Sequence, residues 1–152
     1  MIGKFRQVNV FPENAGNFSA ALPIQSVPFK LHAIFWSAQF SNVGSRYVQL
    51  KITYANVTEI FWSWAPSIDA TVFSSAQICW SQSNSNFNEG PYVNPVNMVA
   101  SVPLPVGLVL DSKAQVTVFM DGSDPGDILG VVSYLLEDLF DDPTIEVDLK
   151  PV

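Results

Sequence analysis

Apolar residues in this chain recur at every second position, in short runs that end at proline, glycine or asparagine. That periodicity belongs to strands with one buried face, because a helix repeats its apolar positions every three or four residues. Residues 46–54 are the clearest case. Tyr47, Gln49, Lys51 and Thr53 alternate with Val48, Leu50, Ile52 and Tyr54, and the second set is expected to face the core. Eleven prolines and eight glycines interrupt the chain too often for long helices.

Similar runs cover the rest of the sequence. Residues 5–11 alternate up to Pro12, and 13–28 read as loop around Pro23 and Pro28. In 29–38, Phe29, Leu31, Ala33 and Phe35 are expected on one face, with Lys30, His32, Ile34 and Trp36 on the other. Residues 57–64 follow the short turn Ala55-Asn56 and complete a hairpin with 46–54. A strand centred on Ile78 and Trp80 lies within 70–81, and a polar loop spans 81–97. Pro103 and Pro105 make 98–110 an edge strand or a strand corner. Residues 115–120 and 128–136 complete a set of eight. The expectation is all-β: an eight-stranded antiparallel β-sandwich forming a single domain over residues 1–152, with 137–152 as an extended C-terminal arm lying on a neighbour.

Composition narrows the function. Charged residues make up 14% of the 152 residues, against about 25% in an average soluble protein, so part of the surface is expected to be hidden by partners. With seven basic residues, unclustered, and a net charge of −7, the chain lacks the cations that displace counterions from a phosphate backbone. No direct nucleic-acid partner is expected. The opening Met1-Ile2-Gly3-Lys4-Phe5-Arg6 has no apolar signal-peptide region, and no apolar run suits membrane insertion. Synthesis in a cytoplasm is therefore expected, and the sequons at Asn17 and Asn56 read as chance. The single cysteine, Cys79, rules out an intrachain disulfide and reads as a small buried hydrophobe.

No constellation rises to a catalytic signature, and the chain is read as a non-enzyme without cofactors. His32 is the only histidine, so any Ser–His–Asp or Cys–His scheme rests on it, and a hydrolase would need it in a cleft with Asp121 or Asp127. The loop Asp121, Asp124, Asp127 is the most metal-like feature, since hard cations take oxygen ligands on turns. Its spacing is not that of an EF-hand, and Asp, Gly and Pro also build plain turns. Glu137, Asp138, Asp141 and Asp142 read as a solvated chain exit rather than a glycosidase pair. The aromatic run Phe61, Trp62, Ser63, Trp64 puts Phe61 on one face and both tryptophans on the other. With Tyr92, these are candidates for an interface or for stacking on sugar rings, burial in core or interface being the commoner fate of large aromatics.

The proline-rich Val102-Pro103-Leu104-Pro105-Val106, then 115–120, the turn 121–127 and the strand 128–136 resemble the close of the single jelly-roll proteins of viral capsids. The resemblance covers the last third of the chain, and the rest by strand count. It implies a jelly-roll topology and a virion structural protein: a penton, spike-base, minor capsid or decoration subunit, made in the host cytoplasm. Its partners would be other capsid proteins and copies of itself, as a trimer or pentamer. The chain departs from the main shell-protein pattern in lacking a basic N-terminal arm, which favours an outer or vertex position. A carbohydrate-binding module using Trp62, Trp64 or Tyr92 is the rival expectation.

Overall fold

The computed structural model of the chain describes residues 2–12, 18–55, 58–82 and 97–140. Among these residues there is no α-helix. The strands are β1 (Ile2–Val10), β2 (Phe18–Ala21), β3 (Phe29–Gln39), β4 (Ser45–Tyr54), β5 (Thr58–Trp64), β6 (Ile68–Asp69), β7 (Ser75–Ser81), β8 (Asn97–Pro103), β9 (Val109–Leu110), β10 (Ala114–Asp121), β11 (Ile128–Leu129) and β12 (Val132–Phe140). They form two sheets. The first has the order β1-β12-β3-β7-β8, with β9 and β11 also pairing to β3; the second has the order β2-β10-β4-β5, with β6 on β4. The chain passes from sheet to sheet at β1–β2, β2–β3, β3–β4, β6–β7, β9–β10 and β10–β11.

The inward rows of the two sheets meet in one apolar cluster. Ile34, Trp80, Tyr134 and Leu136 of the first sheet and Val48, Leu50, Ile52, Val116 and Met120 of the second are fully buried within it. Side-chain hydrogen bonds cross between the layers. Tyr134 Oη donates to the carbonyl of Ala20 at 2.5 Å, and Trp80 Nε1 to Ser63 Oγ at 3.4 Å. Burial pushes the Tyr134 phenol well above its usual range, so it stays neutral and keeps its proton for that bond.

Several expectations change. The 13–28 loop contains β2, whose Phe18 and Ala20 enter the core and whose backbone pairs with β10. The sheets are antiparallel except at β7 and β8, which run parallel from Ser75↔Asn97 to Ser81↔Pro103. The β3 row does not keep one phase. The β12 partner of Ala33 is Leu135 and that of Leu31 is Leu136, so His32 is an extra residue, a β-bulge. Before the bulge Phe29 and Leu31 point inward; after it Ile34 and Trp36 do, and Phe35 is left 51% exposed on the outside. Tyr54 ends β4 outside the core, its ring below Lys113 Nζ, which stands 6.0 Å from the ring centroid. The final strand runs on past residue 136: positions 137–140 pair with β1, so any arm begins beyond Phe140. Asp138 is accordingly not at a solvated exit. It is buried and takes Nε and Nη2 of Arg6 at 2.8 and 2.9 Å.

Candidate functional site

The outer face of the second sheet carries the candidate aromatics. Alternation along β4 turns Tyr47, Gln49 and Lys51 outward, and β5 lies beside it with Trp64 opposite Gln49 and Trp62 opposite Lys51. Phe61, in the other phase, packs half-buried against the core. Trp62 and Trp64 are each 50% exposed, their ring centroids 5.6 Å apart and tilted by 34°. They are therefore not core residues of the subunit.

A polar network holds Trp62 from below. Trp62 Nε1 donates to Gln49 Oε1 at 2.7 Å, and Gln49 Nε2 donates to Asp121 Oδ2 at 2.8 Å. Lys51 Nζ stands 5.3 Å from the Trp62 ring centroid and 2.6 Å from Glu59 Oε1. The indole N–H is thus satisfied inside the sheet, while apolar ring surface remains exposed. An arrangement of this kind suits a protein contact or the apolar face of a sugar ring, because either removes aromatic area from water and finds polar groups at the rim. The roles of Gln49, Lys51 and Glu59 are not in the aromatic run itself. The alternation of 46–54 does put Gln49 and Lys51 on the outward face, and that was the available signal. Tyr92 lies outside the described residues, as do Asn17, Asn56, Asp141 and Asp142.

The acid loop has a different use. Arg46 Nε and Nη2 donate to the two oxygens of Asp127 at 2.8 and 3.1 Å, with the two side chains 2% and 0% exposed. Asp127 also accepts from the backbone N–H of Ser41 and of Asp124, each at 3.0 Å. Asp124 accepts from Asn42 Nδ2 and from the Gly126 N–H, and Asp121 from Gln49. Ser41 Oγ lies within hydrogen-bond distance of both Asp124 and Asp127, at 3.1 and 3.2 Å, while Asp121 faces Gln49. Among the described residues no group of three or more His, Cys, Asp or Glu side chains converges to hold a metal ion. The loop is a turn pinned by an arginine.

On the outer face of the first sheet, the bulged His32 tilts against Phe5 with ring centroids 5.1 Å apart. Its Nε2 is 3.7 Å from Glu137 Oε2 and has no hydrogen-bond partner among the described residues. The structure does not bring His32 together with Asp127, which Arg46 holds, nor with Asp121, which belongs to β10 of the other sheet. Cys79 lines a groove of about 430 Å³ with Phe35, Gln77, Val99 and Ser101. Burial pushes its thiol up, away from a reactive thiolate.

No protein-family model matches the chain, and neither curated proteins nor solved structures contain one significantly similar to it.

Proposed function

We propose that this chain is a structural subunit of a virus or phage particle, acting by assembly with copies of itself and with other capsid proteins. The observation that carries the reading is the display of large apolar side chains on the outer faces of both sheets. Phe5, Phe35 and Val99 stand on the first, and Tyr47, Trp62 and Trp64 on the second. A subunit with 14% charged residues and such faces gains stability when neighbours cover them.

The fold part of the proposal is a jelly roll. It is supported by the four-strand order β1-β12-β3-β7 in one sheet with β2-β10-β4-β5 in the other, and by the repeated passage of the chain between them. In this reading the eight strands of that order are the framework, and β8 is an addition at one edge. Fold alone does not fix function; the exposed aromatics and the acidic balance are what favour protein neighbours over nucleic acid.

The arrangement of Trp62, Trp64 and Gln49 also favours a second reading, a carbohydrate-binding module with sugar stacked on the exposed indoles. Sedimentation of the full chain over a wide concentration range separates the two. Assembly predicts a closed oligomer, a trimer or pentamer, that grows at the expense of monomer. A monomer at every concentration that binds oligosaccharide would overturn the capsid reading.

A further inference from the structure

Gln49 behaves unlike a residue on an outer sheet face. Glutamine there is usually left exposed, with its amide in water. Gln49 is only 9% exposed, and both ends of its amide are engaged. Its register neighbours are Phe119 on β10 and Trp64 on β5, yet its polar links run to neither. They run diagonally, to Asp121 beside Tyr47 on one side and to Trp62 beside Lys51 on the other. Diagonal neighbours lie within reach of a long side chain. Asp121, Gln49 and Trp62 therefore form one hydrogen-bonded line across β10, β4 and β5. None of the three belongs to the apolar cluster between the sheets, so the line is not part of the packing that joins the layers.

The chemistry of the line is directional. An indole N–H only donates, and an ionised carboxylate only accepts. The side chain between them must accept at one end and donate at the other, as a glutamine amide does. The carboxylate end is fixed by the backbone, because Asp121 closes β10 and Gly122 follows with φ at +77° against the Ser45 carbonyl. On its other side Trp62 meets the ammonium of Lys51, which Glu59 holds in turn. A half-exposed tryptophan free to change rotamer loses that freedom when a partner covers it, and binding is weakened accordingly. Trp62 is already ordered in the isolated subunit, beside a second half-exposed indole.

We infer that Asp121 and Gln49 are positioning residues that lock the Trp62 indole beside Trp64, so that a second copy of the chain meets a preformed aromatic face. This role rests on the assembly reading above and deepens it, since tryptophans held in place are the side chains on which an interface depends most. The indole N–H is turned toward Gln49, so the contact is made by ring carbon and needs no acceptor from the partner. The charges around the rings are met within the face, Lys51 by Glu59 and Asp121 by Gln49. The matching surface is therefore apolar and uncharged, which a chain with 14% charged residues can itself supply.

The test compares the full chain with three variants, by sedimentation and by circular dichroism in dilute solution. Indoles 5.6 Å apart couple their ultraviolet transitions, and the band lost in Trp64→Phe marks that coupling. Gln49→Glu still accepts from Trp62 but sets a second carboxylate against Asp121. Gln49→Met offers neither end a partner. Each is expected to diminish the coupled band and to weaken self-association about tenfold, because the freed indole must be ordered again on contact. Gln49→Glu with Asp121→Asn reverses the line, with the carboxylate in the middle and the amide at the end, and is expected to restore both. Denaturant unfolding reports the fold separately. A merely structural role would lower the unfolding midpoint and leave the association of the folded variants unchanged. That result, or a double variant that does not recover both band and association, would overturn the positioning role and leave assembly standing. A full chain that is monomeric at every concentration would overturn both.

Discussion

Arg46 and Asp127 form a two-pronged ion pair in the interior, joining the start of β4 to the turn between β10 and β11 across 81 residues of chain. Arg46 also donates to the carbonyl of Asn42 at 3.1 Å and lies 5.4 Å from the centroid of the Phe40 ring. One pair thus ties together the 40–46 segment and the acid loop. Removing a single partner leaves a buried charge without compensation, which costs about 3–5 kcal/mol. Arg46→Ala and Asp127→Ala are each expected to fall in that range by denaturant unfolding. The double change Arg46→Met with Asp127→Leu is expected to recover much of the loss, because neither charge then remains to be solvated.

The same pair sets an acid limit. Burial alone would push the Asp127 carboxyl up, but Arg46 and the N–H groups of Asp124 and Ser41 outweigh it, and the net shift is downward. The unfolded chain therefore binds this proton more readily than the folded one below about pH 5, where a free Asp begins to titrate. Stability from the pair is full above that range and is lost as pH falls through the lowered native value. Melting temperature should drop with acid in the native chain, and drop less in Asp127→Asn, which starts lower and has no such carboxylate to protonate.

Gly122 lies directly beyond β10 with φ at +77°, and a Cβ there would run into the carbonyl oxygen of Ser45. Two costs coincide: the left-handed backbone and the clash with main chain that cannot swing away. Gly122→Ala is expected to destabilise by about 1–3 kcal/mol. Gly107 also has positive φ, at +75°, but has open space around it, so Gly107→Ala is expected to cost less. Comparing the two unfolding curves isolates the clash.

Tyr134→Phe removes the donor that links the two sheets at Ala20. The carbonyl left behind loses a buried partner, a change worth about 1–3 kcal/mol. The expected result is a lower denaturation midpoint with an unchanged fold by circular dichroism.

Much of this arrangement is legible in the sequence. The alternation of 46–54 puts Val48, Leu50 and Ile52 inside and turns Tyr47 and Lys51 outward, but Tyr54, expected in the core, is exposed, and Gln49 on the outer face is buried. The split of Phe61 from Trp62 and Trp64 follows from the same rule. The rule fails at His32 because a bulge adds one residue and reverses the faces after it, and nothing local in the sequence marks that position. It fails at Phe18–Ala21 because four residues are too few to display a period. The acid loop misleads for another reason. Asp and Gly serve turns and cations alike, and the residue that decides between them, Arg46, is distant in sequence.

Hydroxyl-radical footprinting of Trp62 and Trp64 tests the central claim most directly, that the outer aromatic faces are contacts between subunits. At half exposure in the isolated subunit both indoles should be oxidised readily in dilute solution. Assembly predicts that both become protected as concentration rises and oligomer forms, with no ligand added. Equal oxidation in monomer and oligomer, or protection that appears only when oligosaccharide is added, would contradict it.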